Sequence, residues 1–195
     1  MNKTLDNHYW KQRYLQKQTG WNIGYPSPPL TNYCQQLRDK NCKILIPGVG
    51  KGYEIDWLQK QGFGQVYGLD ITDEPLEAIL KRNPSFPKTQ LIKTDFFHHK
   101  GHYDLILEQT FFCALPPDRR NDYVQTMASL LRKNGKLCGV FFDINTTGEE
   151  PPFGGSLQEY ETLFRPYFTI RVLERCYNSI KARQGNELFA IFEKK

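Results

Sequence analysis

The sequence lacks any run of eighteen apolar residues, which is about the length that a membrane-spanning helix needs. Its first ten residues, MNKTLDNHYW, also lack the apolar stretch of a signal peptide. We therefore expect a soluble, cytoplasmic protein with no membrane partner.

Residues that bind metals or form disulfides are few and poorly spaced. The five cysteines are odd in number and form no C-x-x-C pair: Cys34, Cys42, Cys113, Cys138 and Cys176. Neither a disulfide framework nor a structural zinc site is expected, and reduced core thiols are the favoured interpretation. His98, His99 and His102 lie in a polar connection without an acid at ligand spacing, which predicts a solvated loop and no metal site.

Charge of one sign is never concentrated. The net charge of +5 comes from 26 basic and 21 acidic residues that are spread along the chain. The sequence contains no stripe of basic residues, which would be the signature of a nucleic-acid partner. The phosphate-binding pattern G-x-x-x-x-G-K-[ST] is absent as well, so we expect a small-molecule partner of another kind.

What is present is a stretch that reads as strand, tight turn and helix start. Ile44, Leu45 and Ile46 lead into glycines at positions 48, 50 and 52, and a second apolar run ends at Asp70. Glycines permit unusual φ/ψ values and let a ligand approach bare backbone. An acid at the end of the next strand is placed to accept hydrogen bonds from a ribose. The pattern predicts a nucleoside site that contains Gly48, Gly50, Gly52 and Asp70.

The glycine spacing narrows the choice of nucleoside. A dinucleotide fingerprint, G-x-G-x-x-G, would need glycine where this chain has Tyr53, and that argues against an NAD-dependent reductase. The observed G-x-G-x-G is similar to motif I of the class I S-adenosylmethionine (SAM) methyltransferases.

The length of 195 residues and the alternation of predicted strands and helices favour a single α/β domain. We expect residues 1–40 to form an N-terminal helical lid and residues 41–195 a catalytic core. Beyond the first two strands, the patterns predict strands over 89–93, 103–109, 136–142, 169–176 and 187–193, and helices over 7–18, 30–38, 53–61, 74–81, 118–132 and 157–164.

Other candidate site residues follow the strands or precede the first one. Trp10 and Trp21 suit a lid, with Tyr14 on the same helix face as Trp10. Asp95 and Phe96 follow the third strand, where a carboxylate would accept from the amine of adenine. Gln109 ends the fourth strand. Apolar walls of a pocket are predicted at Phe111, Phe112, Pro152 and Phe153.

Several stretches together resemble the thiopurine S-methyltransferase superfamily, within it the thiol and halide methyltransferase branch. The matching segments are W-x-x-x-Y-x-x-x-x-T-G-W at 10–21, ILIPGVGKGYE at 44–54, GLDIT at 68–72, DFF at 95–97, YDLILEQTFFCALPPDRR at 103–120, PPFGG at 151–155 and SIKARQGNE at 179–187. The resemblance implies a Rossmann-like, mostly parallel sheet of seven strands, with helices on both faces and an antiparallel C-terminal hairpin.

The resemblance also implies SAM as methyl donor, with S-adenosylhomocysteine as product. The donor would contact Trp10, Tyr14, Trp21, Gly48, Gly50, Gly52, Asp70, Ile71, Asp95, Phe96 and Gln109. PPFGG and Arg183 would border the acceptor, and Arg183 is the predicted catalytic residue because its guanidinium stays charged near a nucleophilic anion.

The expected activity is methyl transfer to a small soft nucleophile such as a thiol, hydrosulfide, halide or thiopurine-like sulfur, by a monomer or weak dimer. Tyr14 stands where the branch often has tryptophan, and Asn22 where it often has aspartate, so the acceptor stays open. A SAM-binding protein without catalysis, or one that methylates another small molecule, is the alternative.

Overall fold

The computed structural model describes residues 4–146 and 148–195. The strands in this part of the chain are β1 (Ile44–Pro47), β2 (Val66–Asp70), β3 (Leu91–Lys93), β4 (Tyr103–Gln109), β5 (Leu131–Phe142), β6 (Phe168–Arg175) and β7 (Glu187–Lys194). The α-helices are α1 (Asn7–Leu15), α2 (Pro28–Gln35), α3 (Tyr53–Lys60), α4 (Asp73–Arg82), α5 (Arg120–Leu130) and α6 (Leu157–Phe164).

The strands form one sheet in the order β3-β2-β1-β4-β5-β7-β6. The first five are mutually parallel, whereas β7 runs antiparallel to both β5 and β6. The predicted fold class, a mostly parallel sheet of seven strands with an antiparallel C-terminal hairpin, is confirmed.

Apolar residues alternate along the central strands and supply two cores, one on each face of the sheet. Ile44, Ile46 and Leu107 pack with residues of α2, α3 and α4 on one face. Leu45 and Ile106 pack with residues of α5 and α6 on the other. A parallel strand covered on both faces needs such a continuous apolar run, which is what β1 and β4 have.

Most predicted elements lie within a few residues of their observed bounds, and β5 shows the largest difference. It begins at Leu131, five residues before the predicted start. Its pairing with β4 jumps from Tyr103↔Leu131 to Leu105↔Lys136, and Asn134 has a φ of 60° within the jump. The residues between the predicted helix and the predicted strand thus form a bulge inside β5, since left-handed backbone interrupts but does not end the pairing.

The predicted solvated histidine loop is also corrected at one residue. His99 is buried, and its Nε2 lies 2.8 Å from the Tyr103 hydroxyl. A Cβ on Gly101 would lie 2.8 Å from the Tyr103 ring, so the glycine lets the loop fold back onto the tyrosine. No helix in residues 4–146 and 148–195 is both long enough and apolar enough to cross a membrane.

The chain's connections place the carboxyl ends of β1 to β5 at one edge of the sheet. The strand order reverses between β1 and β4, because β1 connects outward to β2 while β4 continues to the other side. In open α/β sheets, ligands bind in the crevice at this reversal. The glycine-rich turn after β1 and the segment after β4 both lie there.

Candidate active site

A cavity of about 790 Å³ opens at this edge of the sheet. Its walls come from the N-terminal segment, from the loops that follow β1 to β5, and from the connection between β6 and β7. Cavities of this size hold drug-sized ligands. In the described part of the chain, no group of three or more His, Cys, Asp or Glu side chains is arranged to hold a metal ion.

Asp70 is the buried acid of the cavity. Its side chain ends β2, and its Oδ1 accepts from the Thr72 amide at 3.0 Å and from the Thr72 hydroxyl at 2.9 Å. Burial raises the pKa of Asp70 to about 6, against hydrogen bonds from Thr72, Gly50 and Ile71 that lower it. A carboxylate held this way at the end of a strand can accept further hydrogen bonds from ligand hydroxyls.

The turn after β1 brings bare backbone to the cavity at Gly48, which has a φ of 59°. A Cβ there would lie 2.4 Å from Cδ2 of Phe111, so the ring packs directly on the glycine. Phe111 also meets Phe96 edge to face, with ring centroids 5.1 Å apart. These two aromatic residues and Gly48 line the same part of the cavity.

Asp95 and Phe96 follow β3 and line the cavity. Oδ1 of Asp95 accepts from the Phe97 amide at 2.9 Å, and the other oxygen lies 3.9 Å from Nδ1 of His98. The Asp95 side chain is 40% exposed. Its second oxygen therefore keeps access to a ligand amine.

Aromatic side chains of the N-terminal segment cover the cavity. Trp21 meets both Trp10 and Tyr14 edge to face, each at a centroid distance of 5.6 Å. Nδ2 of Asn7 donates to the carbonyl of Ile71 at 2.6 Å, which ties α1 to the loop after β2. The predicted lid residues Trp10, Tyr14 and Trp21 thus stand beside Ile71 and the buried acid.

A second set of contacts joins the N-terminal segment to the opposite wall. Arg13 forms an ion pair with Glu150 and stacks on the Tyr9 ring at 5.0 Å. Nη2 of Arg183 donates to the carbonyl of Trp21 at 2.9 Å. The N-terminal segment is therefore attached to both the β2 side and the C-terminal side of the cavity.

Arg183 lines the cavity from the connection between β6 and β7. Its side chain is 11% exposed, lies 3.5 Å from Oε1 of Glu187, and stands over the Phe142 ring at 5.6 Å. Cys113 and Pro152 line the same cavity. Burial raises the pKa of the Cys113 thiol, so this cysteine stays protonated.

Five predicted site residues lie outside the cavity lining: Gly50, Gly52, Gln109, Phe112 and Phe153. A Cβ on Gly52 would lie 2.5 Å from Ile79, so this glycine serves close packing of the turn against α4. Gly50 instead has a φ of 55° in the turn, and a Cβ there would lie 3.9 Å from Nε1 of Trp21.

The other three point into the protein. Phe112 is 2% exposed and meets Tyr123 edge to face in the core. Phe153 is 8% exposed. Only its backbone contacts the site, because its amide donates to the carbonyl of Cys113 at 2.7 Å. The Oε1 atom of Gln109 is buried without a hydrogen-bond partner among the described residues. In both aromatic cases the preceding residue, Phe111 or Pro152, lines the cavity, whereas the phenylalanine itself is buried.

The cavity also contains residues that the sequence analysis did not select, among them Thr94, Leu115, Arg119 and Phe142. Arg119 stands 4.0 Å from the centroid of the Phe97 ring. Thr94 directly follows β3 and Phe142 ends β5, so their positions at strand ends could have identified them as cavity residues. Leu115 directly follows the first 3₁₀ turn after β4 and Arg119 ends the second. The sequence predicted only a helix over 118–132 in this region, and that prediction did not indicate which residues face the cavity.

Comparison with solved structures finds the same architecture in a 1,6-didemethyltoxoflavin-N1-methyltransferase from Burkholderia thailandensis, described with bound 1,6-didemethyltoxoflavin and S-adenosylhomocysteine. The TM-score is 0.79 at 16% identity, over 97% of this chain and 87% of that one.

Two relatives resemble the chain in sequence. Probable thiol methyltransferase 2 of Arabidopsis thaliana is 30% identical over 162 residues, which cover 80% of this chain and 71% of that protein. Thiocyanate methyltransferase 1 of Brassica oleracea is 26% identical over 98% of this chain and 87% of its own length. The family model for thiopurine S-methyltransferase matches residues 5–194. The chain therefore belongs to the thiopurine S-methyltransferase family and is a SAM-dependent methyltransferase.

Proposed function

We propose that this enzyme methylates a small, soft and anionic nucleophile, such as a thiolate, hydrosulfide, thiocyanate or halide. The observation that carries the proposal is that one cavity contains a buried carboxylate, Asp70, on one side and a nearly buried guanidinium, Arg183, on the other. The names of the relatives, a thiol and a thiocyanate methyltransferase, support the same class of acceptor.

The donor half of the cavity fits SAM. When bound, SAM supplies an electrophilic methyl group on a sulfonium. We assign Asp70 to accept hydrogen bonds from the ribose hydroxyls and Asp95 to accept from the adenine amine. Gly48 offers bare backbone to the amino-acid end, and Phe96 forms an apolar wall.

A soft anionic nucleophile needs a positive neighbour, a fixed orientation and exclusion of water more than it needs a strong base. An in-line displacement requires the nucleophile about 3 to 3.5 Å from the methyl carbon. We assign Arg183 to hold the anion there, since its guanidinium stays charged and it lines the cavity. Phe142, Pro152 and the lid tryptophans exclude water, which strengthens that attraction.

Donor binding should depend on pH through Asp70. The pKa of Asp70 in the ligand-free protein is raised to about 6, so the carboxyl is protonated below that pH. It must lose its proton before it can accept hydrogen bonds from two ribose hydroxyls. We expect the Kd for S-adenosylhomocysteine to be flat above about pH 7 and to rise about tenfold per pH unit well below 6. Calorimetry from pH 4.5 to 8 measures this, and Asp70→Asn should remove the inflection.

The free energy of unfolding should depend on pH with the opposite sign to donor binding. Since burial raises the pKa of Asp70 from 3.8 to about 6, its contribution to folding is present at low pH and is lost as the pH rises through that interval. Weaker binding at pH 5 would therefore not reflect unfolding through this group. An inflection that persists unchanged in Asp70→Asn would assign the pH dependence elsewhere.

The acceptor class is tested with hydrosulfide, iodide, thiocyanate and thiophenol, by measuring S-adenosylhomocysteine release at saturating SAM. We expect turnover of at least one of these anions. A protein that binds S-adenosylhomocysteine but turns over none of them would be a SAM-binding protein with another acceptor or with no catalysis.

We also propose a cytoplasmic monomer or weak dimer with a small-molecule acceptor as partner, and size-exclusion chromatography checks the oligomeric state.

A further inference from the structure

Glu108 is a fully buried carboxylate directly beneath the cavity. It is 0% exposed, yet it does not line the cavity. Its Oε1 accepts from the amides of Phe111 at 2.7 Å and Phe112 at 3.0 Å, and its Oε2 accepts from the Tyr123 hydroxyl at 2.6 Å. A buried charge is costly unless several donors satisfy it, and here three donors do so.

The segment that Glu108 holds has a strained backbone. Thr110 has a φ of 56°, in the left-handed region that residues with a branched Cβ rarely adopt. Such a residue persists when its surroundings fix it. The two amides that follow Thr110 are both bound by Oε1 of Glu108, so the carboxylate closes the turn from below.

The turn contacts both halves of the cavity. Phe111 packs on Gly48 and on Phe96 in the donor half. At the other end of the turn, the Cys113 carbonyl accepts from the Phe153 amide at 2.7 Å, which anchors the PPFGG segment of the acceptor half. A displacement of this turn would therefore move groups on both sides of the reacting atoms.

The surrounding strands make room for this side chain. Gly139 on β5 pairs with Glu108 on β4, and a Cβ at Gly139 would lie 2.5 Å from the Cβ of Glu108. A glycine in the middle of a strand usually marks such a close approach. Burial raises the pKa of Glu108 to about 7, and the hydrogen bonds from Tyr123, Phe112 and Phe111 act against that rise.

We propose that Glu108 is a positioning residue that fixes the turn 110–113, and with it Phe111 and the PPFGG anchor, through two backbone hydrogen bonds. The effect on binding rests on the donor site proposed above. No contact between Glu108 and either substrate is involved, because the side chain lies behind the turn.

Glu108→Leu and Glu108→Gln separate this role from a packing role. Leucine fills similar space but leaves both amides unbonded, whereas the Gln carbonyl still accepts both. We expect Glu108→Leu to weaken S-adenosylhomocysteine binding at least about tenfold and to raise the acceptor KM, because two buried amides lose their acceptor. Glu108→Gln should stay within about threefold of wild type.

Val124→Ala is the matched control, since Val124 is a buried residue on α5 beside Tyr123 that makes no bond to the turn. It should lower the melting temperature while the Kd stays within about twofold of wild type. If Glu108→Leu does not fold, Tyr123→Phe carries the test, because it keeps the ring but removes the hydroxyl that holds Oε2 and so orients Oε1 toward the two amides. We expect at least about threefold weaker binding in that variant.

Normal S-adenosylhomocysteine binding by folded Glu108→Leu, or by Tyr123→Phe where the leucine variant does not fold, would overturn the proposal. So would a loss of binding in Glu108→Gln equal to that in Glu108→Leu. The donor site itself is checked separately with Asp70→Ala: loss of binding there with normal binding in Glu108→Leu would reject the role of Glu108 alone.

Discussion

Asp70→Ala is expected to weaken S-adenosylhomocysteine binding by at least about 100-fold while the protein stays folded. The change removes a carboxylate that is placed to accept two ribose hydroxyls, and hydrogen bonds to a charged group contribute about 1.5 to 3 kcal/mol each. Because burial raises the pKa of Asp70, its ionised form is already unfavourable in the folded protein. Removing it should therefore affect binding far more than stability.

Calorimetry and the melting temperature of the free protein measure the two effects. Asp70→Asn keeps an oxygen that can accept from Thr72, and it should show a smaller loss of affinity, about tenfold. Asp73→Ala is the matched control, because Asp73 is 48% exposed, pairs with Lys93 and lies outside the cavity lining. Unchanged affinity in Asp70→Ala would remove the carboxylate from the donor site.

The position of Asp70 in the cavity could be predicted because parallel strands fix where their carboxyl ends meet. An apolar run that ends in an acid, beside a run that ends in glycine, places both groups at one edge of the sheet. The same rule located Asp95 and Phe96 after β3. Local pattern was sufficient wherever the site residue directly follows a strand.

Adjacent residues with similar side chains could not be assigned in this way. Phe111 faces the cavity and Phe112 faces the core, and the direction of each depends on the turn that Glu108 closes. Nothing in the sequence pattern says which of two neighbouring phenylalanines points outward after a residue with positive φ. The two were therefore predicted together, and the structure separates them.

The same limit explains Gly52 and His99. Gly48 and Gly52 look equivalent in the G-x-G-x-G pattern, but Gly52 packs on Ile79 of α4, a partner 27 positions later in the chain. His99 packs against Tyr103 of β4, and its Nε2 lies 2.8 Å from the tyrosine hydroxyl. Such contacts arise from tertiary packing, which the local pattern does not encode.

Arg183→Ala is expected to lower kcat/KM for hydrosulfide or thiocyanate at least about 100-fold, because the variant removes the positive charge that we propose to hold the anionic acceptor. The structure adds a second, smaller effect. Nη2 of Arg183 donates to the Trp21 carbonyl, so its loss also releases one attachment of the N-terminal segment. We expect the Kd for S-adenosylhomocysteine to rise by about fivefold, in line with one hydrogen bond of about 1 kcal/mol.

Steady-state kinetics at saturating SAM, together with calorimetry, separate these two effects. Arg183→Lys keeps the charge but replaces a rigid fork by a point charge, which cannot serve both the lid carbonyl and an anion with the same geometry. It should recover part of the turnover. Lys181→Ala removes an exposed charge from the same connection, outside the cavity lining, and should behave as wild type.

If Arg183→Ala turned over the anions normally, or if Lys181→Ala lost as much activity, the positive charge that acts on the acceptor would have to come from another residue. Arg13 and Arg119 are the other arginines along the cavity wall, so the same measurements on their alanine variants would then identify it.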